Sequence, residues 1–218
     1  MPRPLRALLA AGLALCLVAL TVVALRWGLA DAMHRGAEHD MARWQQAQSM
    51  PGLGEWLAVR DTLARASRLE PGNPAIVESS GLLHSQRLIG GSGSGMFQEE
   101  ALGFFEEAAV RRPTSPYTWA NIALTRYRLG RTDAKFMMAL STAQRLGPWE
   151  PEVELIAADV GLAMWDEMDA AAREELKATM ARAAKRQGAQ LVQLAEKRGR
   201  LKLVCELPEL TAKQLKCQ

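Results

Sequence analysis

The hydrophobic pattern of the chain changes character twice within its first sixty residues. From Ala7 to Leu25 the sequence reads ALLAAGLALCLVALTVVAL, without a single charge. At 1.5 Å rise per residue such a run spans about 28 Å, enough for a bilayer core. Arg3 and Arg6 precede it, and Arg26 and Trp27 follow as an interfacial anchor. The run is long for the apolar part of a secretory signal, and the small-residue site Ala30-Asp31-Ala32 stands well past its end. An uncleaved single transmembrane helix over residues 1–27 is therefore expected. Cys16 follows Leu15, too bulky a residue for a lipid-attachment signal.

Beyond Trp27 the apolar run gives way to mixed polar sequence. Residues 28–54 read as a stalk, a short polar helix stopped by Pro51, Gly52 and Gly54. The remainder reads as helices punctuated by proline and glycine. Three segment ends are alike: LARASRLEPGNP, FFEEAAVRRPTSP and LSTAQRLGPWEP. Each sets a small alanine five residues before a proline (Ala66 and Pro71, Ala108 and Pro113, Ala143 and Pro148), with a further proline at 74, 116 and 151. The spacings, about 42 and about 35 residues, predict a repeated helix–turn–helix unit. The longer spacing contains GGSGSG, residues 90–95, which reads as a flexible insertion in a loop. No Gly-Lys-Ser/Thr follows it and no strand precedes it, so it is not a phosphate loop.

These units resemble the tetratricopeptide repeat. In EEALGFFEEAAVRRP, Ala101, Phe105, Ala108 and Pro113 meet the pattern of the repeat's second helix. In WANIALTRYRLG, Trp119, Ile122, Ala123, approximately Tyr127, and Gly130 meet that of the first. The resemblance covers residues 55–150 and implies an all-α fold, an N-terminal transmembrane helix followed by an α-solenoid in which small and large side chains alternate so that helices pack closely. The unit after Gly130 departs from the pattern, with Lys135 and Phe136 where a small residue belongs. Residues 151–200 read as further helices capping the array, the last of them basic. Residues 201–218 form a tail containing one short piece, either strand or helix.

Composition sharpens this picture only in places. Abundant Ala and Leu and few aromatics, 6% of residues, favour helix over sheet. A net charge of +3 is too small to point to nucleic acid. Arg3, Arg6 and the amino terminus, set against the mixed charges beyond the span, favour a cytoplasmic N-terminus and an extracytoplasmic or periplasmic body at the inner (cell) membrane. In such a compartment Cys205 and Cys217 are either a disulfide closing a small loop or two thiols.

Candidate chemistry is sparse. His34, His39 and His84 read as solvated histidines, and no cysteine or carboxylate cluster completes a metal site. Glu99-Glu100, Glu106-Glu107 and Glu174-Glu175 read as solvated helix faces. No nucleophile motif is present. The expectation is therefore no catalytic residue, no cofactor, no metal and no small-molecule substrate. Trp149 and Trp165 are expected to pack in the core or against turns. The repeat alignment places Tyr117, Leu124, Tyr127 and Arg128 on the inner groove of the array, where aromatic and arginine side chains suit a peptide; the other reading is that Trp119 and Tyr127 pack between helices, as the repeat itself demands. Between Arg173 and Lys202 nine Lys/Arg face three Glu, which is either a solvated helix face or an attraction for an anionic glycan.

The wider arrangement, one span, a tetratricopeptide-like body, and the stretches RRPTSPYTWANIALTRYRLG, LGPWEPEVEL and GLAMWDEMD, resembles the bacterial exopolysaccharide biosynthesis accessory family, of the Vibrio biofilm polysaccharide protein type. That resemblance implies a membrane-anchored, non-catalytic protein-interaction scaffold serving polysaccharide polymerase or export components. Three other readings of the residues stay open: a scaffold for another envelope system (cytochrome maturation, pilus or secretion assembly), a direct binder of an anionic glycan, or, with no cleft of convergent carboxylates in the sequence to favour it, a glycan-modifying enzyme.

Overall fold

A computed structural model describes residues 3–87 and 94–207. The described residues form nine α-helices and a short 3₁₀ turn, without a strand. They are α1 (Arg3–Gln46), α2 (Leu53–Leu69), α3 (Pro74–Ser85), α4 (Ser94–Arg111), α5 (Pro116–Arg128), α6 (Ala134–Leu146), α7 (Pro151–Ala163), α8 (Ala170–Lys197) and α9 (Leu201–Cys205). The chain is all-α: a long apolar N-terminal helix followed by packed helices. It divides into two compact units, residues 1–83 and 84–218.

In the first unit, α1 runs unbroken for 44 residues. Its N-terminal half is apolar and exposed throughout, long and apolar enough to cross a membrane. Its C-terminal half carries a different pattern. Ala30, His34, Ala37, Met41 and Trp44 are buried, at alternating spacings of four and three. The antiparallel α2 buries Trp56, Val59, Leu63 and Ala66 at spacings of three and four. Two such stripes make a coiled-coil-like seam, in which each fully buried large side chain contributes roughly 1.5–3 kcal/mol. Trp56 further donates its indole N–H to the carbonyl of Leu83 at 3.2 Å. The stretch expected to be a stalk is thus half of a helical hairpin. Its polar residues other than His34 lie mostly on the outer faces, and the seam spacing is visible only once the helix is continued through Trp27.

The second unit repeats a simple grammar. The prolines at 116 and 151 open α5 and α7 in the first helical turn, where a missing N–H costs nothing. Ser115, Asp133 and Asp169 cap α5, α6 and α8 through their side-chain oxygens. Gly130, at φ 69°, ends α5 in the left-handed conformation that glycine tolerates best. Ala101, Phe105 and Ala108 of α4 are all buried, as the repeat requires. Aligning Pro148 with Pro113 puts Phe136 at the position of Ala101 and Leu140 at that of Phe105. Both are buried, so in α6 the small and large positions exchange volume across one turn. Ala143 then joins Ala120 and Val153 in a core cluster covered by Trp119 and Ile156, which ties α5, α6 and α7 together.

The last long helix, α8, packs against α7 and bends at Gln187, whose φ −138° and ψ 34° are not helical. The Gln187 side chain donates to the carbonyl of Pro151 at 2.9 Å, fixing the bend to the start of α7. The piece Leu201–Cys205 is helical. Of the GGSGSG insertion, residues 90–93 lie outside the described residues, as does Cys217.

Candidate functional site

The four groove candidates lie on or beside α5, and each is engaged by the protein's own residues. Tyr117 donates its hydroxyl to Glu150, which raises its pKa from 10.0 to about 12 chiefly through that bond, with burial and the charges of Glu150 and Glu152 adding to it. Leu124 is half-buried. Tyr127 accepts a hydrogen bond of 3.0 Å from Arg198, whose guanidinium also stands 5.2 Å from the ring centre. Arg128 donates to the carbonyl of Ser85 at 3.3 Å. The residue is exposed overall, while its guanidinium is partly desolvated where it meets the protein. That desolvation lowers its pKa, Asp159 opposing the shift and Arg198 adding to it.

Arg198 organises this face. It follows α8 directly and holds Asp159 of α7 through two hydrogen bonds of 2.8 and 2.9 Å. The bond to Asp159 raises its pKa above the ordinary arginine value, burial opposes the shift, and Asp159's charge and Tyr127 support it. A single residue therefore joins α5, α7 and the end of α8. Sequence reasoning did not find it, because Arg198 sits within the basic run and its partners lie 39 and 71 positions away.

The arginines of the basic run are engaged by carboxylates and carbonyls of the protein itself. Arg182 and Arg186 converge on Glu154, whose side chain is only 1% exposed. Arg173 donates to the carbonyl of Trp165 at 3.0 Å and covers its ring at 5.5 Å. Arg200 pairs with Asp166, and Lys177 with Glu174 at 2.7 Å. Lys185, Lys197 and Lys202 are exposed and make no ion pair with the described residues.

Two aromatic and histidine expectations change. Trp149 lies on the surface, 69% exposed, with Arg186 5.7 Å over its ring. The prolines on either side hold it in a turn that no helix covers. His34 and His84 are buried and not solvated. His34 shares a hydrogen bond of 2.8 Å with Ser79 and lies 3.4 Å from Glu38, while His84 lies 3.4 Å from Glu100 beside Phe104. Among the described residues no group of three His, Cys, Asp or Glu is arranged to hold a metal ion.

A second buried charge lies at the α5–α6 turn. Arg126 is 6% exposed and bonds Asp133 at 2.8 Å and Glu106 at 3.3 Å. It forms the wall of a shallow depression with Glu99, Arg131 and Lys135. In the same depression Arg131 pairs with Glu99 at 2.9 Å. Comparison with protein-family models and with curated proteins gives no match.

Proposed function

We propose that this protein is a membrane-anchored, non-catalytic scaffold, held by one N-terminal span with its body on the extracytoplasmic side of the cell membrane. It docks protein partners of an envelope assembly, here assigned to extracellular polysaccharide biosynthesis or export. The observation that carries the reading is α1: the apolar, exposed half and the buried, seam-forming half belong to one unbroken helix. A packed helical body is thereby fixed to the bilayer, which raises the local concentration of membrane-bound partners without any new contact. The assignment to polysaccharide machinery rests on the sequence resemblance alone.

A photo-crosslinking amino acid in place of Arg128, in native membranes, tests it. Adducts with polymerase, export or chain-length proteins of a polysaccharide system are expected. Adducts confined to cytochrome-maturation, pilus or secretion components would overturn the polysaccharide assignment.

A further inference from the structure

The register of the first hairpin fixes where its far end lies. Arg26, the first charge after the apolar run, donates to the backbone carbonyl of Arg68 at 3.4 Å. Higher up, Ala37 shares a depression with Val59, and Trp44 with Glu55. An antiparallel pair in this register brings the C-terminal end of α2 down to the level of Arg26 and Trp27. There α2 stops at Leu69, and Pro71-Gly72 turns the chain into α3. The helix thus ends level with the point where the apolar run of α1 begins. A longer α2 would have carried polar residues into hydrocarbon.

The side chains at this foot suit a bilayer surface. Trp27 is 55% exposed and Leu29 50% exposed. Arg26, Arg65 and Arg68 are exposed. The acidic residues nearby are already occupied: Asp31 pairs with Arg35 at 2.8 Å, and Glu70 accepts from Asn73 at 3.0 Å. We propose that the α2–α3 turn rests in the headgroup layer of the membrane that α1 crosses, with Arg65 and Arg68 bound to lipid phosphates. The first unit then stands on the bilayer on two feet, the span and this turn. The idea rests on α1 being membrane-inserted, and its test separates the two claims.

Gly72 suits a label, since a Cβ there meets nothing within 4 Å. Spin labels are placed singly at Gly72→Cys, Asp61→Cys and Val18→Cys in a chain whose own cysteines are removed (Cys16→Ser, Cys205→Ser, Cys217→Ser). The full chain is reconstituted in phosphatidylcholine bilayers, with and without phosphatidylglycerol. Depth is read from the ratio of collisions with oxygen, which favours hydrocarbon, to collisions with a water-soluble nickel chelate. The expected result is Val18 deep, Gly72 at headgroup depth, and Asp61, about 12 Å higher along α2, in water. Phosphatidylglycerol should draw the Gly72 label deeper, and an Arg65→Gln, Arg68→Gln pair should abolish that increment. A Gly72 label as water-exposed as the Asp61 label, with Val18 deep, overturns the proposal while leaving the span intact. An increment that survives the double variant overturns the role of the two arginines. A Val18 label in water overturns the span itself.

Discussion

Arg198 holds Asp159 in a fork of two hydrogen bonds, at 2.8 and 2.9 Å, while its flat face covers Tyr127. The side chains of Arg198 and Asp159 are only 19% and 18% exposed, so the pair is shielded from solvent and salt. Replacing Arg198 by Ala should cost about 2 kcal/mol of unfolding free energy, within the range for hydrogen bonds to charged groups. Arg198→Lys should recover less than half of that loss, because an ammonium has no fork to offer. Urea unfolding of both variants in the same detergent checks the order. A lysine variant as stable as the wild type would show that the charge matters and the geometry does not.

The Tyr117–Glu150 bond gives a pH signature. The folded-state pKa of Tyr117 is raised from 10.0 to about 12. The neutral phenol is therefore favoured by the fold, and its stabilising contribution is complete below pH 10 and lost as pH rises towards 12. An ultraviolet phenolate titration should show Tyr117 ionising late. In Glu150→Gln the late phase should move back towards the ordinary tyrosine range. A late phase that persists in Glu150→Gln would assign the shift to burial.

The contact between α7 and α8 leaves no room at Gly161. A Cβ there would stand 2.6 Å from both terminal carbons of Leu176, a side chain that is 1% exposed. Gly161→Ala should destabilise by about 1–3 kcal/mol through overpacking. Adding Leu176→Ala to Gly161→Ala should cost less than Leu176→Ala does in the wild-type background. Thermal unfolding of the four proteins of this cycle measures the coupling, and additivity would sink the close-approach account.

Glu154 is the buried charge that most constrains α8. Glu154→Gln leaves Arg182 and Arg186 facing a neutral amide and should cost about 3 kcal/mol, the scale for breaking a buried ion pair. Arg186→Gln should cost less, since Arg182 still faces the carboxylate at 3.5 Å. Denaturant midpoints of the two variants rank them, and the reverse order would mean that Arg186 acts mainly by covering Trp149.

Cys205 closes α9, and Cys217 lies outside the described residues. An extracytoplasmic body in an oxidising compartment should carry a Cys205–Cys217 disulfide, closing a loop of about 13 residues and adding roughly 3 kcal/mol. Peptide mapping under non-reducing conditions should find one linked peptide. Two alkylated thiols in the natively expressed protein would contradict the assigned sidedness.

The helical body was legible because its punctuation is local. The prolines at 74, 116 and 151 each open a helix, and Ala101, Phe105 and Ala108 are as buried as the repeat pattern implies. The hairpin of α1 and α2 was not legible, since the seam from Ala30 to Trp44 is hidden among charges on the other faces of the same helix. The inner face was read only in part. Tyr127 and Arg128 are residue types suited to a groove, but their engagement by Arg198 and by the Ser85 carbonyl depends on chain segments 71 and 43 positions away. Likewise nothing close in sequence marks His34 and His84 as buried, because Ser79 and Phe104, which cover them, come from other helices.

The continuity of α1 fixes an angle as well as a distance. An α-helix turns by about 100° per residue, so one residue inserted at Gly28 would swing the seam with α2 by about that angle around the apolar half of α1, and four would return it to within about 40°. The apolar half of α1 and the hairpin seam thus share one rotational phase, set by a single unbroken helix.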